Sequence, residues 1–378
     1  MEDNTQPKSN IGRSVLWIVV IAVVILGGFA FSRNTAQEAI KIGVIAPLTG
    51  NQASYGEGIK EGIDLAFQEW QGKPIQGRSL ELIYEDTRGE VKNVLSAAEK
   101  LISVDKVVAV ISGGPSQEAV ALVPLAEQYK IPMYMAVSQA PELTDAGDFV
   151  FRGMPGQDLL GARIAEVAYA KGFRKASMLS ANYNQATKAS AEAFRKEFES
   201  RGGAVALVEE FGPNTTDFRT VLGHIGLKKP DVLFVNGLTT DDGLIMKQAR
   251  ELGIKAVFVS QGGVEDKKVI ETAGGATEGV LFASFNASAP DAFAEKVKAK
   301  YGKDARRWNS EGFEALQFVF AGLGQAKTLD PVGVREGLAN VRELDGVSAK
   351  LLYDEKGNVT RPVFVKKIEN GQFVLLAE

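Results

Sequence analysis

Segments typical of β-strands and α-helices alternate from Ile40 almost to the C-terminus, in two similar stretches. Parallel strands joined by helices form a sheet that is covered on both faces, and such sheets bind ligands beyond the carboxyl ends of their strands. A chain of 378 residues is long enough for two or three domains. The alternation therefore predicts an α/β protein in which two units face each other across a ligand cleft.

The predicted strands of each stretch are short and rich in apolar residues. The first stretch has strands at 41–46, 80–84, 107–111 and 133–137, and the second at 176–180, 204–209, 232–235 and 256–259. After a strand at 280–283 the pattern changes to three helices, at 292–301, 311–325 and 332–338. The end of the chain is predicted to be β-structure, with Asn370-Gly371 as a hairpin turn.

Composition excludes several classes of chemistry. The chain has no cysteine, so disulfides, thiolate metal sites, a cysteine nucleophile and a lipid-bearing cysteine are ruled out. Its single histidine, His224, is predicted to be a surface or structural residue. Pro47 to Gly50 follow the first strand where a dinucleotide-binding enzyme would carry Gly-x-Gly-x-x-Gly. The net charge of −4 gives no indication of nucleic-acid binding. We therefore expect no catalysis, no cofactor, no metal and no nucleic-acid partner.

A terminal apolar segment, residues 15–31, holds 17 residues without a charge. It follows Lys8 and Arg13, which favour a cytoplasmic N-terminus. Two interpretations remain open, a cleaved export signal and an uncleaved transmembrane anchor, and both place the globular part outside the cytoplasm. We favour the anchor, because no lipid-attachment cysteine could tether the protein. Residues 1–39 are thus a leader, the segment itself and a linker.

Short motifs in a fixed order resemble those of one family over residues 40–378. They are Ile42 to Gly50, Tyr55-Gly56, Tyr84-Glu85-Asp86, Val110 to Ser116, Ile131-Pro132, Ala140 to Thr144, Phe149 to Arg152, Lys247 to Gly253 and Asp354 to Gly357. On these residues the chain resembles the branched-chain amino-acid-binding proteins of ABC importers, the leucine/isoleucine/valine type.

The resemblance implies a type I periplasmic-binding-protein fold, with two Rossmann-like lobes joined by three hinge crossings. One lobe would comprise 40–155 and 284–345, and the other 156–283 and 346–378. The implied function is that of a monomeric solute-binding protein that closes on a small ligand and docks on a membrane permease. The alternative is a membrane-anchored sensing domain of the same fold that signals through a partner.

In the first lobe, the resemblance implies that Ser116 binds a ligand carboxylate. Ser116 is also predicted to be a helix N-cap, which would suffice to explain a serine there. Val137, Ser138 and Gln139 match a segment that binds ligand through a carbonyl and a hydroxyl, although the family usually has threonine or serine where this chain has Gln139. Tyr55 matches an aromatic that closes over the ligand, and packing on Trp70 is its structural alternative.

In the second lobe, the chain departs from the family's pattern. A stacking tyrosine is implied at Gln185, and Tyr183 lies two residues earlier. A second tyrosine position falls at Leu238, and the acidic residue that pairs with a ligand ammonium falls at Gly262. Three acids remain as substitutes: Asp241, Asp242 and Glu265. The ligand classes left open are an amino acid, a carboxylate, an amide and a short peptide.

Overall fold

The computed structural model describes residues 38–376, apart from 51, 71–72, 144, 287–290 and 348. Its first sheet is entirely parallel, with the order β2-β1-β3-β4-β5. The strands are β1 (Ile40–Ala46), β2 (Leu80–Asp86), β3 (Ala109–Ser112), β4 (Met133–Met135) and β5 (Val150–Arg152). Strands β1, β3, β4 and β5 are almost wholly buried, as is typical of strands covered on both faces, whereas the edge strand β2 is only partly buried.

Six helices pack around the first sheet. They are α1 (Ala53–Trp70), α2 (Val91–Lys100), α3 (Ser116–Tyr129), α9 (Asp291–Tyr301), α10 (Arg307–Gln325) and α11 (Pro331–Ala339), while α4 to α8 belong to the second sheet below. Helices α1 and α10 touch through their backbones: a Cβ on Gly62 would lie 2.0 Å from the carbonyl oxygen of Asn309. Likewise a Cβ on Gly312 would lie 2.2 Å from the carbonyl oxygen of Ile59. Glycine is therefore required on both helices.

The second sheet has the order β15-β14-β10-β9-β8-β6-β7. Its strands are β6 (Lys175–Ala181), β7 (Ala204–Phe211), β8 (Val232–Asn236), β9 (Val257–Gln261), β10 (Leu281–Ser284), β14 (Phe364–Glu369) and β15 (Gln372–Leu375). Its helices are α4 (Asp158–Ala170), α5 (Gln185–Ser200), α6 (Arg219–Lys228), α7 (Thr239–Glu251) and α8 (Lys267–Ala273). Strand β14 runs antiparallel to β10, and β15 antiparallel to β14. The predicted Asn370-Gly371 turn is confirmed, with φ of +52° and +68°.

A small third sheet corrects the predicted division of the chain. It consists of β11 (Glu343–Asp345), β12 (Lys350–Tyr353) and β13 (Val359–Thr360). Leu351, Tyr353 and Val359 are buried in the core of the first sheet, and the Tyr353 hydroxyl lies 2.9 Å from that of Tyr134. Residues 350–360 therefore pack with the first lobe, whereas 346–378 as a whole had been assigned to the second. The other predicted lobe boundaries remain a proposal.

The chain crosses between the two sheets three times, after β5, after β10 and after β13. A buried arginine, Arg361, joins two of these crossings. Its Nε donates to the carbonyl oxygen of Gly153 at 2.8 Å, and its guanidinium pairs with the buried carboxylate of Glu314 on α10. The neighbouring buried arginine, Arg152, makes a contact within the first lobe: its Nη2 donates to the carbonyl oxygen of Ala140 at 3.0 Å.

Within residues 38–376 as described, no helix is both long and apolar enough to span a membrane. The predicted signal or anchor, residues 15–31, lies outside the described residues. His224 is exposed on α6, where its Nδ1 lies 2.9 Å from Oε1 of Glu209.

Candidate ligand-binding site

An inner cavity lies between the two sheets, at the carboxyl ends of their strands. It has about 370 Å³ of empty volume, including its opening to solvent. It is lined by Tyr55, Pro115, Ser116, Val137, Gln139 and Trp308 of the first lobe, Gln157 of the first crossing, and Asn184, Ala186, Gly237, Leu238, Gln261 and Gly263 of the second lobe. Five predicted site residues are in this set: Tyr55, Ser116, Val137, Gln139 and Leu238. None of the lining residues carries a formal charge.

Ser116 lies where β3 ends and α3 begins. The N-cap of α3 is Pro115, so Ser116 is the first helical residue and the predicted N-cap position is one residue off. Its hydroxyl oxygen accepts a hydrogen bond from Ser138 at 3.2 Å. The first backbone N–H groups of a helix have no partner within the helix, and they carry partial positive charge. Ser116 and the start of α3 thus form a donor set suited to a carboxylate.

The segment after β4 supplies a second polar group. Ser138 is buried beside Ser116 and does not itself line the cavity. Gln139 does line it, and its buried Nε2 has no hydrogen-bond partner among the described residues. Gln157, at the start of α4, presents a second buried Nε2 in the same condition. Buried amide donors normally have a hydrogen-bond partner. Because these two have none among the described residues, both are available to donate to a ligand oxygen.

Aromatic rings form the apolar wall of the cavity. The ring of Tyr55 stacks on that of Trp308, with 4.2 Å between the ring centroids. Trp70, the packing partner considered as the structural alternative for Tyr55, packs on Phe320. Trp308 comes from α10, about 250 residues along the chain from Tyr55, so no local pattern links the two residues.

The second-lobe residues predicted by the resemblance fall partly outside the cavity. Tyr183 does not line it, and its hydroxyl donates to Oδ2 of Asp241 at 2.7 Å. Gln185 begins α5 but does not line the cavity, whereas its neighbours Asn184 and Ala186 do. Gly262 is buried, and Gly263 lines the cavity in its place. The roles of all these residues in binding remain predictions.

A hydrogen bond across the cleft holds the lobes together. Nδ2 of Asn184 donates to Oε1 of Gln117 on α3 at 3.0 Å, while its Oδ1 accepts from the backbone of Ala186 and caps α5. The structure is therefore a closed form. An asparagine before a helix is an ordinary cap signal, and nothing in the sequence indicates its partner in the other lobe.

The three candidate acids of the second lobe have different environments. Glu265 is paired with buried Lys366 and hydrogen-bonded by Ser284. Asp241 accepts from Tyr183 and from the backbone N–H of Leu238 at 3.1 Å. Asp242 is fully buried: its Oδ1 accepts from Gly237 at 2.7 Å, and its Oδ2 has no partner among the described residues.

Asp242 lies directly behind the cavity wall. A Cβ on Gly263 would be 3.5 Å from its Oδ2. Burial raises the pKa of Asp242 well above its ordinary value, the neighbouring Asp241 raises it further, and the Gly237 hydrogen bond opposes the shift. These surroundings favour the neutral acid.

Glu118, in the first turn of α3, is also a buried acid. Burial raises the pKa of Glu118 to about 7; the Thr87 hydroxyl opposes this shift and Asp86 adds to it. Across the described ranges, no cluster of three or more histidine, aspartate or glutamate side chains is placed to hold a metal ion.

Comparison with known proteins agrees with this architecture. Residues 39–372 match the periplasmic binding protein family. The Leu/Ile/Val-binding protein BraC3 of Rhizobium johnstonii is 28% identical over 347 residues, which cover 90% of this chain and 94% of that protein.

Two solved structures illustrate the fold. The leucine-binding protein LivK of Thermotoga maritima has a TM-score of 0.83 and 28% identity, over 90% of this chain and 98% of that one. An ABC-transporter solute-binding protein of Rhodopseudomonas palustris, in complex with 3,4-dihydroxybenzoic acid, has a TM-score of 0.82 and 24% identity, over 90% of this chain and 96% of that one. The chain thus belongs to the periplasmic binding protein family, whose members bind solutes and are not enzymes.

Proposed function

We propose that this protein is the extracytoplasmic solute-binding protein of an ABC importer, and that it captures a small amino-acid-like, carboxylate or amide ligand by closure of its lobes. The observation that carries the proposal is the start of α3. Ser116 and the first turn of that helix face a cavity that both lobes enclose.

The inner cavity suits a ligand with one carboxylate and an apolar body. A carboxylate at the N-terminus of α3 would accept from backbone N–H groups and from the Ser116 hydroxyl, in the favourable field of the helix. The stacked rings of Tyr55 and Trp308 provide apolar surface beside it. Relatives named as Leu/Ile/Val-binding proteins and a neighbour bound to a dihydroxybenzoic acid fit this description.

Closure would couple binding to transport. The Asn184–Gln117 hydrogen bond and the ligand's contacts with both walls exist together only in the closed form. A ligand that binds the closed form better shifts the population towards it. The closed monomer would then dock on a membrane permease, with residues 15–31 as the anchor that holds it at the membrane.

A thermal-shift screen of the purified protein against amino acids, amides and small carboxylates tests this function, because a ligand that binds only the native state raises the unfolding midpoint. With a ligand from that screen, Ser116→Ala is expected to weaken binding by about 1–3 kcal/mol, through loss of a charge-assisted hydrogen bond. Ser177→Ala, at a buried serine on β6 away from the cavity, is the matched control. Equal affinities in wild type and Ser116→Ala would exclude Ser116 from the site.

A further inference from the structure

A larger outer chamber adjoins the inner cavity. It has about 1470 Å³ of empty volume, including its opening to solvent, and shares Tyr55 and Leu238 with the inner cavity as common walls. Both lobes contribute to it, Gln52, Ser54 and Gln117 from the first and Thr215, Thr216 and Thr239 from the second. A ligand held in the inner cavity could thus extend between Tyr55 and Leu238 without leaving the cleft.

The inner cavity offers no ionised partner for an ammonium group. Its lining residues are uncharged. Asp241 lines the outer chamber and not the inner cavity, with its Oδ2 accepting from Tyr183 and from the Leu238 N–H, and Asp242 lies behind Gly263 in surroundings that favour the neutral acid. An unpaired ammonium in such a site loses its hydration without compensation. An amide nitrogen carries no charge and avoids this cost.

The outer chamber combines uncharged hydrogen-bonding groups with a few charged side chains. Thr239, the first residue of α7, is 4% exposed, and its Oγ1 has no partner in the part of the chain that the structure describes. The N–H groups at the start of α7 lie at the same wall and have no acceptor within the helix. The charged residues lining the chamber are of both signs, Arg88 against Glu90 and Asp241. The Thr239 hydroxyl and the N–H groups of α7 are hydrogen-bond donors that suit a neutral acceptor such as a carbonyl oxygen.

We infer that the natural ligand is an amino acid acylated on its nitrogen, such as a dipeptide, and not a free amino acid. This inference rests on the proposed function, because the ligand's carboxylate is taken to bind at Ser116 and α3. The apolar side chain then packs in the inner cavity, the amide nitrogen passes between Tyr55 and Leu238, and the acyl carbonyl accepts from Thr239 and the start of α7.

Calorimetry with four probes tests the inference: L-leucine, N-acetyl-L-leucine, glycyl-L-leucine and L-leucyl-glycine. We expect N-acetyl-L-leucine and glycyl-L-leucine to bind at least tenfold more tightly than leucine. Glycyl-L-leucine and L-leucyl-glycine both carry a terminal ammonium, so the comparison between them tests whether the apolar side chain must belong to the carboxyl-terminal residue. L-leucyl-glycine is expected to bind more weakly than glycyl-L-leucine.

Thr239→Val should reduce the affinity for the two acylated probes about fivefold and leave that for leucine unchanged. Thr239→Ser keeps the hydroxyl and should retain the preference, which separates loss of the hydrogen bond from damage to α7. Thr220→Val, at an exposed threonine on α6, is the matched control.

Three outcomes would overturn the inference: leucine binding as tightly as the acylated probes, no binding of either acylated probe, or an unchanged acyl preference in Thr239→Val. The proposed function is judged separately, since it depends on the broader ligand screen and on Ser116→Ala. If a free amino acid binds tightly and requires Ser116, the proposed function stands and the inference of an acylated ligand is wrong.

Discussion

The two walls of the inner cavity are built from the same kind of element and do different things. On the first-lobe wall, strand β3 leads through Gly113-Gly114 and Pro115 into α3, and the helix start is open to the cavity. On the second-lobe wall, strands β8 and β9 lead into Gly237 and Gly263, with a buried acid behind them. Under the proposed function, the first wall would select for a carboxylate, and the second would limit what may be attached to it.

The largest expected effect is a pH dependence of stability, and it concerns the first wall, where Glu118 is a buried residue in the first turn of α3. Its folded pKa of about 7 exceeds the ordinary value of 4.5. The folded state therefore holds the proton more tightly, so this group's contribution to stability is complete below about pH 4.5 and is lost as the pH rises through 7. That contribution is about 3 kcal/mol.

Glu118→Gln should remove this part of the pH dependence. Urea unfolding at several pH values between 4 and 8 measures it, and the wild-type free energy of unfolding should fall relative to that of the variant as the pH rises. Glu99→Gln, at an exposed position on α2, is the control. Parallel curves for wild type and Glu118→Gln would show that Glu118 ionises normally.

A smaller effect is expected from filling the second wall. In Gly263→Val, the new Cβ would lie 2.9 Å from Nε2 of Gln261 and 3.3 Å from the carbonyl oxygen of Gly237. The added methyl groups would occupy the cavity, and affinity for a ligand of the inner cavity should fall about tenfold or more. Gly223→Val on α6, where a Cβ meets nothing within 4 Å, controls for the substitution itself. Unaltered affinity would mean that the ligand does not reach the second wall.

The smallest expected effect concerns the contact between the walls. Gln117→Leu removes the hydrogen bond to Asn184, which exists only in the closed form. Ligand affinity should fall by about 0.5–1.5 kcal/mol, with little change in unfolding, because Gln117 is only partly buried on α3. Calorimetry measures the first quantity and denaturant unfolding the second. Gln128→Leu, at an exposed position on the same helix, is the comparison, and equal losses in both variants would argue against a role in closure.

The first wall was largely predictable from the sequence. Ser116 and Gln139 follow predicted strands, and the carboxyl ends of parallel strands meet at one edge of a sheet. Both residues line the cavity. Elements with a clear local pattern were also predictable, as the turn at Asn370-Gly371 shows.

Contacts between distant parts of the chain were not predictable. Trp308 reaches Tyr55 only because α10 packs on α1, and Asn184 meets Gln117 only when the lobes close. Strands β12 and β13 were assigned to the wrong lobe for the same reason: their alternating pattern indicates a sheet, and only the position of Tyr353 beside Tyr134 shows which core they join. A pattern along one segment carries no information on its partner.

The backbone contact between α1 and α10 has a consequence for ligand exchange. With Gly62 against Asn309 and Gly312 against Ile59, neither helix can slide past the other without a clash. The starts of these two helices, which carry Tyr55 and Trp308, are then expected to move with the first lobe as one rigid body. Moving either ring aside would break the Tyr55–Trp308 stack, so we expect rotation of the lobes about the crossings, rather than motion of a side chain, to limit how fast a bound ligand leaves.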